Sequence, residues 1–176
     1  MAMNLNTGER AQRKELITVA EWTEDSTQKR EILGVRTEDS SIELNPDIET
    51  STDIRGITYS DVNKTEPQQT FDPYYVMGGS PLAEYLTQAM LKNDIAKYNN
   101  VFTVYIITTF IGETGSTYAV KHDGCSIIPT ATGGDAYVNM PLEVHFSNNI
   151  TEGTVTKAED GKLDDTFVFT PTVTVP

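Results

Sequence analysis

The chain has 176 residues, enough for one domain with a substantial core and too few for a second of full size. Its 26 acidic and 13 basic residues give a formal net charge of −13. Proteins that hold nucleic acid by its phosphates need clustered Lys and Arg, so this charge excludes that mode of binding. The same sign disfavours docking on anionic membranes.

The composition also indicates where the chain is made. One cysteine, Cys125, excludes an intrachain disulfide and fits a reducing compartment. The first residues are polar and mixed in charge, which is not typical of a signal peptide. No apolar run approaches the roughly 20 residues of a bilayer-spanning helix. We therefore expect a protein made in the cytoplasm, without a membrane partner.

The first third of the chain begins without periodicity. Residues 1–14 are predicted to be an N-terminal arm, and residues 15–176 a single domain. Residues 15–22 alternate between two faces and predict a strand, whereas residues 23–30 are polar and predict a loop.

Residues 38–62 predict a long β-hairpin. The run Asn45-Pro46-Asp47 is the predicted turn, because proline presets φ and the flanking side chains can bond nearby amides. At Gly56 the parity of the apolar residues changes, which predicts a bulge or bend. The strand after the turn divides into one face with Ile48, Thr50, Thr52 and Ile54 and another with Glu49, Ser51, Asp53 and Arg55. The hairpin is also the acidic pole of the chain, since residues 37–66 hold eight acids and two bases.

One helix is predicted to start after Ser80, a good N-cap, with Pro81 at its first position and Glu84 in its first turn. Its helical spacing predicts an apolar stripe that packs on a sheet, formed by Leu82, Tyr85, Leu86, Ala89 and Met90.

The second half of the chain is predicted to form strands that are separated by turn-rich segments. Residues 101–111 are apolar on both faces, as in a central strand that is covered on both sides. Further strands are predicted at 117–122, 126–129, 136–146, 150–157 and 166–173. Many short strands with one flanking helix indicate a mainly β protein, either a β-sandwich or a partly closed barrel.

Catalytic and metal-binding patterns are sparse. His122 and Cys125 lie close together, but a zinc site would need two more ligands, and no second short-spaced pair exists. Cys125 lies in no nucleophile signature, and the acidic pairs Glu159-Asp160 and Asp164-Asp165 sit in a turn-rich stretch. We therefore expect no enzyme activity, no metal and no cofactor.

With these elements in order, the chain resembles the major tail tube proteins of long-tailed bacteriophages. The likeness covers about residues 15–170 and is carried by the run 38–56 (EDSSIELNPDIETSTDIRG), the connector Phe71-Asp72-Pro73-Tyr74 and the Ser80-Pro81 helix start. The resemblance implies a β-sandwich whose copies form hexameric rings, with rings stacked into a tube and a hairpin of each copy around the lumen. It also implies a virion protein with other tail proteins at the tube ends.

The acidic hairpin fits that resemblance, because a conduit for DNA should repel a polyanion and not bind it. We expect the lumen-facing residues to be Glu49, Ser51, Asp53 and Arg55, with Glu43 from the partner strand. Arg55 departs from an acidic wall, and we expect it to pair with an acid of a neighbouring subunit.

Two other functions remain open at this point. A β-sandwich carbohydrate-binding or adhesion module would use exposed aromatic rings, for which Trp22, Tyr74 and Tyr75 are the candidates. A hydrolase would need Cys125 or a carboxylate such as Asp164 as its reactive group.

Overall fold

The computed structural model describes residues 3–37, 39–113, 116–156 and 166–172. Within these ranges the chain forms eleven β-strands and one α-helix. In chain order they are β1 (Leu16–Glu24), β2 (Thr27–Ile32), β3 (Ile42–Glu43), β4 (Pro46–Thr52), β5 (Thr58–Thr65), β6 (Gln68–Phe71), α1 (Pro81–Leu91), β7 (Phe102–Glu113), β8 (Ser116–Pro129), β9 (Leu142–His145), β10 (Ile150–Thr156) and β11 (Val168–Pro171).

Nine of these strands form one antiparallel network. Its path is β2-β1-β7-β8-β9-β6-β3, and β10 and β11 join it through β8. β8 pairs first with β10 and then with β9, and Gly124, with a φ of 81°, lies between the two halves. The strand thus changes partner where the backbone bends, which gives two layers. The mainly β, sandwich-like fold with one helix is confirmed, and the described strands do not close into a barrel.

The central strand β7 separates two cores. It lies between β1 and β8, as its two apolar faces predict. The larger core, under α1, includes Trp22, Phe71, Leu82, Leu86, Phe102, Ile127 and Leu142. The smaller core, on the other side, includes Val19, Tyr105, Ile107, Ala119, Val155 and Phe167. There the buried hydroxyl of Tyr105 meets the Glu21 carboxylate, and burial together with that charge raises the pKa of Tyr105 to about 12.

Helix α1 begins where the sequence predicts. Ser80 Oγ accepts the Ala83 N–H at 3.1 Å, and the predicted stripe is buried except for the half-buried Met90. A second cap comes from Glu31 on β2, whose carboxylate accepts from Leu82 N–H (3.0 Å), Ser80 Oγ (2.8 Å) and Tyr74 Oη (2.6 Å). This carboxylate ties the helix to the sheet at the positive end of the helix dipole.

Several predicted boundaries are wrong. Residues 23–30 are not a loop, because Asp25 and Ser26, with φ of 49° and 63°, form a two-residue turn into β2. Predicted strands 117–122 and 126–129 are one strand, β8. Of residues 136–146 only Leu142–His145 form a strand, whereas β10 and β11 confirm the last two predicted strands within a few residues.

Replacing Glu31 by alanine should remove the carboxylate that accepts from the Leu82 N–H and from the hydroxyls of Ser80 and Tyr74. We expect Glu31→Ala to lower the free energy of unfolding by about 1–3 kcal/mol. Urea denaturation followed by circular dichroism measures the change. Glu84→Ala is the matched control, since that first-turn carboxylate is exposed and should contribute less than about 1 kcal/mol. Equal losses in the two variants would contradict the role of Glu31.

Candidate assembly interface

The hairpin formed by β4 and β5 is a sheet of its own. It pairs from Pro46↔Thr65 to Thr52↔Thr58, with a register shift between Asp47 and Ile48. Every residue of both strands is exposed. At about 3.3 Å per residue, β4 extends about 23 Å. The hairpin therefore projects from the body with no core beneath it.

The predicted turn of this hairpin is wrong. Asn45 bonds the Glu66 carbonyl through Nδ2 (3.3 Å), and Pro46 is the first residue of β4, so the chain does not reverse there. Proline is tolerated at this position because it starts a strand and its missing N–H leaves no ladder bond unmade. The reversal lies at residues 53–57.

The true turn is built by Asp53. Its N–H donates to the Ile57 carbonyl (2.9 Å), and its own carbonyl accepts from Gly56 N–H (3.0 Å). Its side-chain Oδ1 accepts from the N–H groups of Arg55 (2.9 Å) and Ile57 (3.0 Å). Gly56 has a φ of 78°, which completes a three-residue hairpin loop with a glycine bulge. The irregularity predicted at Gly56 exists, but it reverses the chain instead of bending a continuous strand.

The two faces of the hairpin differ in charge. Residues that pair directly share a face, so Glu49 lies beside Asp61, and Ser51 beside Tyr59. The other face carries no charged side chain from Ile48↔Val62 to Thr52↔Thr58. Side-chain hydrogen bonds support this division. On the charged face Asn63 donates to Glu49 (3.3 Å), and on the uncharged face the hydroxyls of Thr52 and Thr58 bond each other (3.2 Å). The alternation predicted for residues 48–52 is therefore correct.

Both long edges of the hairpin are open. β4 pairs only with β5, and β5 only with β4, among the described strands. In an antiparallel ladder, pairs of residues that bond each other alternate with pairs whose backbone N–H and C=O groups point away from each other. Asp53 and Ile57 form a bonded pair. Thr50 and Ser60 are the third pair after it, so their backbone groups point outward, to opposite edges. Each edge thus offers unpaired N–H and C=O groups to a further strand.

The root of the hairpin is held by the body. Glu66 N–H donates to the Leu44 carbonyl (3.0 Å), and an exposed Lys64–Glu66 ion pair (2.7 Å) lies beside it. The hydrogen bond that the Lys64 ammonium donates to the Glu66 carboxylate, together with its positive charge, lowers the pKa of the Glu66 carboxyl. Just before the root, Glu43 is exposed on β3, where it pairs with Gln68 of β6. Glu43 is therefore not on the partner strand of β4, contrary to the prediction.

The predicted site residues thus fall into three places. Glu49 and Ser51 lie on one face of β4, Asp53 and Arg55 lie in the turn, and Glu43 lies on the body. Sequence reasoning missed Asp61, because it assigned the wrong partner strand. The alternation of Tyr59, Asp61 and Asn63 with Ser60 and Val62 was the signal that could have found it.

The residues considered for catalysis do not form a reactive centre among the described residues. Cys125 is fully buried, and burial raises the pKa of its thiol, which disfavours the thiolate. His122 Nδ1 bonds the Ser147 carbonyl (2.8 Å). No group of three or more metal-ligating side chains is found in the described ranges, and Glu159-Asp160 and Asp164-Asp165 lie outside them. The described helix, at 11 residues, is too short to cross a membrane.

Comparison with known proteins gives similarity of shape alone. No family model matches the chain, and no curated protein matches it. One similar chain comes from the structure of the PVC sheath/tube terminator of an extracellular contractile injection system in its extended state. It has 13% identity and a TM-score of 0.48 over 84% of this chain and 99% of the other. Another comes from the six-fold symmetrised baseplate of the anti-feeding prophage, with 13% identity, a TM-score of 0.47 and coverage of 84% and 97%. The function of this chain has to be inferred from its own geometry.

The Asp53 turn can be tested directly. Asp53→Ala removes the acceptor of two amides, so we expect exchange of the Arg55 and Ile57 amides to accelerate about fivefold, equivalent to about 1 kcal/mol. NMR hydrogen exchange measures it, and Asp53→Asn, which keeps Oδ1 without the charge, should stay near the wild type. An unchanged rate in Asp53→Ala would show that the side chain does not hold the turn.

Proposed function

We propose that the chain is the structural subunit of a phage tail tube. In this proposal six copies form a ring, rings stack into a tube, and the hairpins line a lumen through which DNA passes without specific binding. The observation that carries the proposal is the projecting hairpin, with two open edges and with its charge on one face.

The open edges favour pairing with other copies. An isolated two-stranded sheet is marginally stable in water, and its edges invite a further strand. If the β4 edge of one copy meets the β5 edge of the next, the pairing is antiparallel and the same contact repeats from copy to copy. A head-to-tail contact of this kind closes into a ring or runs on as a filament. Six copies are the number that the resemblance implies.

The charged face suits the lumen. Glu49 and Asp61 would face DNA side by side, with Ser51 next along the same face and Asp53 and Arg55 at the rim. The uncharged face, with Ile48 and Val62, would turn toward the subunit bodies, where its 55% and 59% exposed side chains can be covered. Glu43 would add charge near the root of the hairpin. Carboxylates repel phosphates, so DNA would move through without the counterion release that drives binding.

The partners follow from this arrangement. The chain binds itself within and between rings, and other tail proteins at the tube ends. It is made in the cytoplasm of the bacterial host and ends in the virion tail. It acts as a structural protein and uses no cofactor.

The binding-module alternative loses its main support. Trp22 and Tyr74 are 2% and 5% exposed, so neither ring is available to stack on a sugar, and Tyr75, the third candidate, is half-buried. Both belong to the larger core, where the Trp22 ring lies beside those of Tyr85 and Phe102.

Blocking one edge of the hairpin should abolish assembly without unfolding the subunit. Thr50→Pro removes an N–H that points outward from β4, and proline is tolerated on an edge strand. We expect rings and tubes of the wild-type protein in negative-stain electron micrographs, and only monomers of Thr50→Pro. Circular dichroism should give both proteins the same spectrum.

Thr50→Ala is the matched control, because it loses the same side chain and keeps the N–H. It should assemble like the wild type. Tubes formed by Thr50→Pro would show that the β4 edge is not an assembly contact.

Reversing the charge of the inner face should turn the conduit into a DNA-binding surface. Glu49→Lys with Asp61→Lys should give tubes that bind an oligonucleotide, with an affinity that falls as salt is added, whereas wild-type tubes do not bind it. Asp53 is left intact because it shapes the turn. The control is Glu9→Lys with Glu84→Lys, the same charge change at two exposed sites outside the hairpin. Equal DNA binding by both double variants, measured by fluorescence anisotropy, would contradict the lumen assignment.

A further inference from the structure

A small apolar pocket lies on the body of the subunit. It has a volume of about 160 Å³ and is lined by Arg36, Tyr75, Val76, Met77 and Tyr137, and we call it the tyrosine pocket. The Tyr75 and Tyr137 rings meet edge-on with centroids 6.3 Å apart. Tyr137 is 77% exposed, an unusual position for a large aromatic ring with no partner chain. An exposed aromatic ring at the mouth of an apolar pocket gives a partner side chain both a cavity to fill and a surface to cover.

The walls of the tyrosine pocket are fixed by backbone pairing. Val76 N–H donates to the Val138 carbonyl (3.0 Å), and Met140 N–H donates to the Tyr74 carbonyl (2.8 Å). The pocket is therefore preformed, which lowers the entropic cost of binding.

The tip of the hairpin presents a side chain that fits. Ile54 is 106% exposed, so its four carbons contact nothing on their own subunit. A cavity of about 150 Å³ holds a benzene molecule, so the tyrosine pocket has room for one branched aliphatic side chain. Arg55, next to Ile54, can lie against an exposed tyrosine face.

Charge favours the same occupant. Arg36 is the one charged residue among those that line the tyrosine pocket, and no acid lines it. At the tip of the hairpin Ile54 lies between Asp53 and Arg55. The Asp53 carboxylate can approach Arg36 while Arg55 lies against a tyrosine ring, and at this distance the attraction is little screened by salt.

The tip of the hairpin and the tyrosine pocket lie on opposite sides of the hairpin root. β5 returns from the tip to the root, and β6 then leads from Gln68, near the root, to Phe71. Tyr75 follows at the end of β6 that is remote from the root. A tip that stands about 23 Å out from the root cannot fold back to this pocket while β4 and β5 stay paired.

We propose that Ile54 of each copy inserts into the tyrosine pocket of a copy in the next ring. The inference rests on the proposed tube. Strands that pair side by side around a barrel run along its axis with a tilt of about 35–45°, so the hairpin tips lie at one rim of each ring. Ile54 lies at one rim of the ring and the tyrosine pocket lies toward the other rim. The same contact can therefore repeat from ring to ring and stack them.

Disulfide trapping tests the contact between copies. Arg55→Cys and Val138→Cys place thiols beside Ile54 and beside the tyrosine pocket. Both variants keep Ile54 and the five residues that line the pocket, and the native Cys125 is buried. The two variants are purified separately, mixed under assembly conditions and oxidised. Docking would hold the thiols at an effective concentration of about 1 mM, so we expect at least about tenfold more cross-linked heterodimer than from Arg55→Cys mixed with Leu91→Cys. Leu91 is a matched control because it is 75% exposed on α1.

A second variant separates stacking from ring closure. Ile54→Asp should leave the hairpin edges free to form rings but prevent their stacking, whereas Ile54→Val should still give tubes. Tubes of Ile54→Asp, or cross-linking no greater than with Leu91→Cys, would overturn the inference and leave the proposed tube standing. If the wild-type protein forms no rings, the proposed function fails, and the cross-link alone then decides whether tip and pocket meet.

Discussion

The structure depends on one incomplete interaction, the antiparallel pairing of β4 with β5. Each strand satisfies the other along one edge and leaves its second edge open to water. The Asp53 side chain and Gly56 supply the local order that a core would otherwise give, since they fix the turn by hydrogen bonds within five residues. The hairpin is therefore shaped in the single subunit, but most of its surface is left for partners to cover.

The body anchors the root of this hairpin by hydrogen bonds. The root is bonded to the end of β3, β6 continues directly into the sheet, and the buried Gln69 of β6 bonds Thr18 of β1 (2.8 Å) and Ser40 (3.1 Å). In the segment after β6, Tyr74 and the start of α1 are both bonded to the Glu31 carboxylate of β2. Hydrogen bonds thus hold β6, which follows the root of the hairpin, and Tyr74, which precedes the loop of the tyrosine pocket. In a tube, these bonds would help to keep tips and pockets in register from ring to ring.

The elements that depend on local interactions could be predicted from the sequence. The helix start follows from Ser80 and Pro81, the buried central strand from two apolar faces, and the charged face of β4 from strict alternation. Prediction failed where two local signals compete. Asn45-Pro46-Asp47 has good turn chemistry, but Asp53 and Gly56 offer side-chain acceptors and a positive φ, and the chain turns there. That single error moved Glu43 onto the hairpin and hid Asp61. The turn at Asp25 and Ser26 was missed because neither residue is glycine, although aspartate tolerates the left-handed region. The tyrosine pocket joins residues 36, 75–77 and 137, a juxtaposition that no local pattern reveals.

The central claim is that the hairpin edges pair between copies around a lumen. Cryo-electron microscopy of the purified protein under assembly conditions tests it most directly. The account predicts rings or tubes in which β4 of one copy lies about 4.8 Å from β5 of the next, with Glu49 and Asp61 facing the central channel. Monomers under all conditions, or an assembly in which the hairpin points away from the channel, would contradict it.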